Sequence, residues 1–277
     1  VALRERLMAA EIPVSEIFAD GRGRFSGPLR LEIGEQLFHL TNADLDGDGK
    51  TDLAAAGTGN RAAILRNAGG GDFAEPVWLQ VTDNVNFIAA ADLDGDSDVD
   101  LVTASPIPRL VSVLLNKGNG VFADAVEYPA GALCIAIADL DGNGRPDLAS
   151  ANYGTSDASV LLNRGDGTFN APTLYPTGAT VQSVSAGDLD GDQDPDLILS
   201  GGYEHLAILT NDGRGGFSAP TEIPVERGPV YNLPTDWDGD GDLDILFAAY
   251  NLNEVRVLIN EGQGTFRQGV AIAISPW

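Results

Sequence analysis

The chain has 277 residues, 43% of them hydrophobic, with 16 basic against 41 acidic side chains and a formal net charge of −25. This composition suffices for a buried core and argues against disorder, and the charge argues against a nucleic-acid or anionic-membrane partner. No run approaches the roughly 18 apolar residues of a membrane span, and the opening Val1-Ala2-Leu3-Arg4 does not read as an export signal.

In chain order, Leu7 to Ile12 reads as a strand and Ala19 to Phe25 as a glycine turn. An aspartate-rich loop follows, with Asp44, Asp46, Asp48, Lys50 and Asp52 at its odd positions. A strand, a short connection, a second strand and the turn Asn67 to Phe73 come next. The same order then returns four times. Its loops carry Asp92, Asp94, Asp96, Asp98 and Asp100; Asp139, Asp141, Asn143, Arg145 and Asp147; Asp188, Asp190, Asp192, Asp194 and Asp196; and Asp236, Asp238, Asp240, Asp242 and Asp244. Loop starts lie 48, 47, 49 and 48 residues apart, and each loop is answered 29 or 30 residues later by the phenylalanine of an Asn-x-Gly-x-Gly-x-Phe turn. Between them stand strand-like runs such as Phe87 to Ala91, Asp100 to Ala104, Val111 to Leu115 and Phe122 to Tyr128. Four antiparallel strands in about 48 residues is the size of a propeller blade. No segment has helical periodicity, so the fold is read as all-β.

The aspartate loop followed by the Asn-x-Gly-x-Gly-x-Phe turn resembles the FG-GAP/VCBS repeat of integrin α-chain propellers, bacterial secreted proteins and a fungal propeller lectin. The resemblance covers essentially the whole chain. It implies a calcium-binding β-propeller of four-stranded blades, one domain over residues 1–277. The blades fall at about 1–34, 35–82, 83–130, 131–178, 179–226 and 227–277. Counting back from Phe25 puts the first blade's loop before residue 1. That blade is therefore incomplete, with Leu7 to Ile12 as its second strand. Six blades are expected, or seven if the chain is part of a longer one.

Of the 41 acidic residues, 22 are aspartates inside the five loops, a density of like charge that is unfavourable without a cation. Carboxylates at positions 1, 3, 5 and 9, with Asn143 replacing one, and a backbone carbonyl at position 7 can wrap a hard cation that takes six to eight oxygens. The carbonyls would come from Lys50, Asp98, Arg145, Asp194 and Asp242. Calcium, about five ions, is expected. Magnesium prefers a strict octahedron, and zinc would want His or Cys, which these loops lack. Position 6 is Gly49, Gly144 or Gly241 in three loops but Ser97 and Gln193 in two. With Asn143 removing a charge from the third, binding is expected to be tightest at 44–52 and 236–244. Millimolar extracellular calcium would keep such sites filled, so a secreted or cell-surface location is expected.

Residues that break the repeat point to a ligand. After the second strand stand Tyr153, Tyr203 and Tyr250, with Asn152, His205 and Asn251 nearby, an assortment suited to a sugar. The plainer reading packs these aromatics blade against blade. A varied strand position holds His39, Phe87, Cys134, Ser183 and Tyr231. Cys134, the single cysteine, sits in an apolar run and reads as structural. Arg164-Gly165-Asp166 fills variable slots of a glycine turn and reads as coincidence. Once the aspartates are assigned to metal, neither a nucleophile nor an acid–base pair remains, so no catalysis is expected. A glycan or protein ligand is expected instead, bound by a monomer or by part of a larger chain; the alternative is a structural or accessory domain.

Overall fold

The second and third strands of each repeat are short continuous apolar runs, which are stable only where both faces are covered. The computed structural model describes residues 14–16, 29–31, 36–82, 84–201, 204–226, 228–249 and 252–274, and every regular element in them is a strand. β1 (Val14–Glu16) pairs with β2 (Leu29–Leu31). β3 (Leu37–Ala43), β4 (Asp52–Gly57), β5 (Arg61–Leu65) and β8 (Val77–Gln80) form an antiparallel sheet. β6 (Asn67–Gly69) and β7 (Asp72–Phe73) make the turn between its last two strands.

The second sheet is β9 (Phe87–Ala91), β10 (Asp100–Ser105), β11 (Leu110–Leu114) and β12 (Val126–Tyr128). The third is β13 (Ala132–Ala138), β14 (Asp147–Asn152), β15 (Asp157–Leu161) and β16 (Thr173–Pro176). The fourth is β17 (Ser183–Gly187), β18 (Asp196–Ser200), β19 (His205–Leu209) and β20 (Thr221–Pro224). The fifth is β21 (Pro229–Thr235), β22 (Asp244–Ala249), β23 (Glu254–Asn260) and β24 (Phe266–Ala273). Each of the five is an antiparallel meander, and the first strands touch in succession from β3 through β9, β13 and β17 to β21. This is the layout of propeller blades.

Strand alternation explains the doubly buried runs. Leu197 and Leu199 of β18 point back to Ala149, Ala151 and Val160 of the third sheet. Ile198 between them points forward to Ile245 and Phe247 of the fifth. The second sheet divides likewise, Leu101 and Leu114 facing the first sheet and Val102 and Val113 the third. Small residues at several of these positions let blades approach closely: Ala54, Ala55, Ala56, Ala62 and Ala63 are all buried.

One expected strand is shorter than its sequence suggests. The run from Phe122 becomes strand only at Val126, because Phe122 is held by an isolated bridge to Asn116 and the Ala123 N–H donates to Leu115 O at 2.7 Å. Short outer strands leave little unpaired edge for another chain to join. Of the expected incomplete first blade, only the paired β1 and β2 are described, and the expected turn Ala19 to Phe25 between them lies outside the described residues. The run Leu7 to Ile12 lies outside the described residues.

Candidate metal centre

Each acidic loop joins the first strand of a sheet to the second, so the meander presents all five loops in equivalent places. The ninth residue opens the second strand. Asp52, Asp100, Asp147, Asp196 and Asp244 are buried to 1% exposure or less. Their two oxygens hold two different segments. Asp147 Oδ2 accepts the Leu140 N–H at 2.9 Å, and Oδ1 accepts the Asn163 N–H at 2.7 Å. The same pair recurs in every repeat: Leu45 and Asn67 on Asp52, Leu93 and Asn116 on Asp100, Leu189 and Asn211 on Asp196, Trp237 and Asn260 on Asp244. The ninth aspartate thus closes its loop and fastens the glycine turn of its own blade.

The turn asparagine reaches further. Asn163 Nδ2 donates to Pro146 O of its own loop at 2.9 Å and to Leu93 O of the preceding blade's loop at 2.8 Å. Asn116, Asn211 and Asn260 make the equivalent bridges, to Leu45, Leu140 and Leu189. Asn67 donates to Thr51 O. Asn116, Asn163, Asn211 and Asn260 thus staple successive blades, a role that sequence reasoning missed although the Asn of the Asn-x-Gly-x-Gly-x-Phe turn was visible.

The remaining carboxylates converge. Asp44, Asp46 and Asp48 bring oxygens within 4.8 Å of one another, as do Asp92, Asp94 and Asp96, and Asp188, Asp190 and Asp192. In the third and fifth loops the groups are Asp139, Asp141 and Asp147, and Asp236, Asp238 and Asp244. The first aspartate accepts N–H groups from across its loop, Asp44 taking Gly47 at 2.8 Å and Gly49 at 2.8 Å. Position 6 lies in the left-handed region in every loop, including Ser97 and Gln193, both at φ 76°. A side chain there costs on the order of 1 kcal/mol.

The electrostatics of the clusters call for a cation. Burial, reinforced by Asp94 and Asp96, pushes the Asp100 carboxyl up to about 6. Burial, with Asp190 and Asp192, does the same to Asp196. Asp94, Asp147, Asp190 and Asp238 are also raised, in each case first by burial. Asp141 Oδ1 is buried without a hydrogen-bond partner. An orphaned carboxylate oxygen beside two more carboxylates, in an all-oxygen donor set, fits a hard divalent ion.

Five overlapping stretches, residues 44–103, 92–150, 139–199, 188–247 and 236–276, match the FG-GAP-like repeat. The chain belongs to the FG-GAP-like repeat family. No curated protein matches it. Among solved structures, an Agrocybe aegerita lectin that recognises non-reducing terminal N-acetylglucosamine aligns at TM-score 0.63 and 20% identity, over 93% of this chain and 73% of the lectin. Virginiamycin B lyase from Staphylococcus aureus aligns at TM-score 0.63 and 12% identity, over 95% of this chain and 78% of the lyase. The V. cholerae biofilm matrix protein Bap1 aligns at TM-score 0.51 and 18% identity, over 90% of this chain and 40% of Bap1. At these identities the likeness is one of fold.

The FG-GAP-like repeats leave the other candidate residues in mixed positions. Tyr153 is 41% exposed. Asn152 beside it is buried and spends its amide on Asp157 and on Ser159 Oγ, so it faces into the blade. His205 keeps a buried Nε2 without a partner, and its chain neighbour Glu204 lines a cavity of about 350 Å³ with Val225, Glu226 and Leu252. Tyr203, Tyr250 and Asn251 lie outside the described residues. At the varied strand position four residues pack blade on blade, His39 stacking on Phe87 with ring centroids 3.9 Å apart and Ser183 Oγ lying 3.8 Å from Cys134 Sγ, while Tyr231 is exposed. Burial raises the Cys134 thiol above its ordinary value. Asp166 is exposed and accepts the Thr168 N–H at 3.0 Å, which closes the glycine turn that carries Arg164.

Proposed function

We propose that this chain is a non-catalytic, calcium-carrying propeller that recognises a glycan or a protein outside the cell. The observation that carries the metal reading is the fivefold recurrence of converging carboxylates, with Asp141 Oδ1 left unpaired. Positions 1, 3, 5 and 9 of each loop, with the position-7 carbonyl, would hold the ion, and the ion would supply the charge that lets the loop carboxylates stay ionised together. Calcium suits the high oxygen count better than magnesium. Six blades, the first incomplete, account for the repeats; seven is the alternative.

Recognition is assigned to the connections between second and third strands. They differ from blade to blade and carry the exposed Tyr153 and the cavity lined by Glu204 and Leu252. The N-acetylglucosamine specificity of the lectin with the same fold supports a sugar as the first ligand to try. A glycan array probed in calcium and in chelator tests this. Saturable binding that needs calcium and falls at least tenfold in Tyr153→Ala is expected. Binding indifferent to calcium, or none to any glycan or candidate surface protein, contradicts it. A structural or accessory role within a longer protein is the second reading, favoured by Bap1, where the aligned fold is 40% of the chain.

A further inference from the structure

The five loops share one spacing, but they do not share one set of neighbours. In 44–52, position 7 is Lys50, and its ammonium bonds to the position-5 carboxylate, Asp48. At the same position Asp98, Asp194 and Asp242 add negative charge to their loops, and Arg145 instead turns away to donate to Arg164 O at 3.1 Å.

A second cation comes from the third strand. The residue before the turn asparagine is Leu115 in the second sheet and Leu162 in the third. Each lies against the glycine turn of the following blade, where a Cβ on Gly167 or Gly215 would meet it at 2.5 or 2.9 Å. In the first sheet the same place holds Arg66. Its guanidinium donates to Asn119 O at 3.1 Å and Gly120 O at 3.2 Å of the following turn, and its Nε lies 3.8 Å from Asp46 Oδ2. Asp46 and Asp141 are both at position 3. Beside Leu162, Asp141 keeps an orphaned oxygen and has no cationic side chain there among the described residues, whereas Asp46 faces the Arg66 Nε, itself without a hydrogen-bond partner, at ion-pair distance.

We infer that Lys50 and Arg66 are built-in counter-ions of loop 44–52, so that this loop keeps its shape without metal and binds a divalent cation most weakly of the five. This rests on the metal reading above and reverses the order of affinity that the loop sequences alone suggest. A cation entering the first loop must displace the ammonium from Asp48 and share Asp46 with a guanidinium that never deprotonates. At surface dielectric each such contact opposes the ion by a factor of a few, and the two together by about tenfold.

The test is a calcium titration of the metal-free full chain followed by the backbone amide resonances of Gly47 and Gly49 against those of Gly142 and Gly144. In the unaltered chain the first pair should respond at the highest calcium concentration. Arg66→Leu with Lys50→Ala should move its midpoint about tenfold lower and leave the third loop unchanged. Arg66→Lys, which keeps the charge, should leave it high, and Leu162→Arg should weaken the third loop instead. A metal-free readout stands beside this one. Amide exchange at Gly47 to Lys50 should be slower than at Gly95 to Asp98, and should accelerate in the double variant. Midpoints that ignore these substitutions while the other loops titrate overturn this inference alone; a chain in which no loop titrates overturns it together with the metal reading.

Discussion

One end of the FG-GAP-like array is built from copies and the other from exceptions. At the end with the acidic loops and glycine turns, the ninth aspartate makes the same two hydrogen bonds in all five described blades. At the opposite end, the connections between second and third strands carry a buried Asn152 network in one blade and a cavity lined by Glu204 in another. Repetition marks the end that assembles blades, and variation marks the end free to recognise a partner. The contrast can be broken by substitutions at either end.

The largest effect is expected at the buried aspartate. Asp147→Ala strands the N–H groups of Leu140 and Asn163 in an interior with no other acceptor, at about 1–3 kcal/mol each. Urea unfolding of metal-free protein should show a loss near the sum, whereas Tyr153→Ala at the other end should stay within about 0.5 kcal/mol. Next comes the staple. Asn163→Ala leaves Leu93 O and Pro146 O unpaired across a blade boundary and should cost about 2 kcal/mol. Asn67→Ala, whose amide reaches Thr51 O, should cost less than half of that in the same assay.

A graded effect follows from pH. Asp100 and Asp196 titrate near 6 in the folded chain and near 4 when unfolded. The metal-free native state therefore holds protons that the unfolded state has released. Its stability should fall as pH rises from about 4 through 6, and thermal melts across that window should show it. Saturating calcium should flatten or reverse the slope, because the ion competes with the proton for the same oxygens.

The all-β architecture and the place of every acidic loop were legible because the repeat is written in residue types with narrow uses. Asp at alternate positions, Gly at positive φ and Asn before a glycine turn each have few structural roles. The Asn staple was hidden because its acceptors, such as Leu93 O for Asn163, lie some 70 residues away and are backbone atoms that sequence does not mark. The counter-ion of Asp46 was hidden for a similar reason. Arg66 stands where the next two blades carry leucine, and only packing shows that its guanidinium turns toward the loop. The outer strand after Phe122 was overread because its alternation begins before the chain has left the bridge to Asn116.

The central claim, that these loops are calcium sites on which the propeller depends, is tested most directly by thermal melts of metal-free protein titrated with calcium and, in parallel, magnesium. A site filled at one hundred times its dissociation constant adds about 2.7 kcal/mol, so several sites should raise the melting temperature by well over 10 °C, for calcium far more than for magnesium. A melting temperature indifferent to calcium, or raised equally by both ions, would contradict the account.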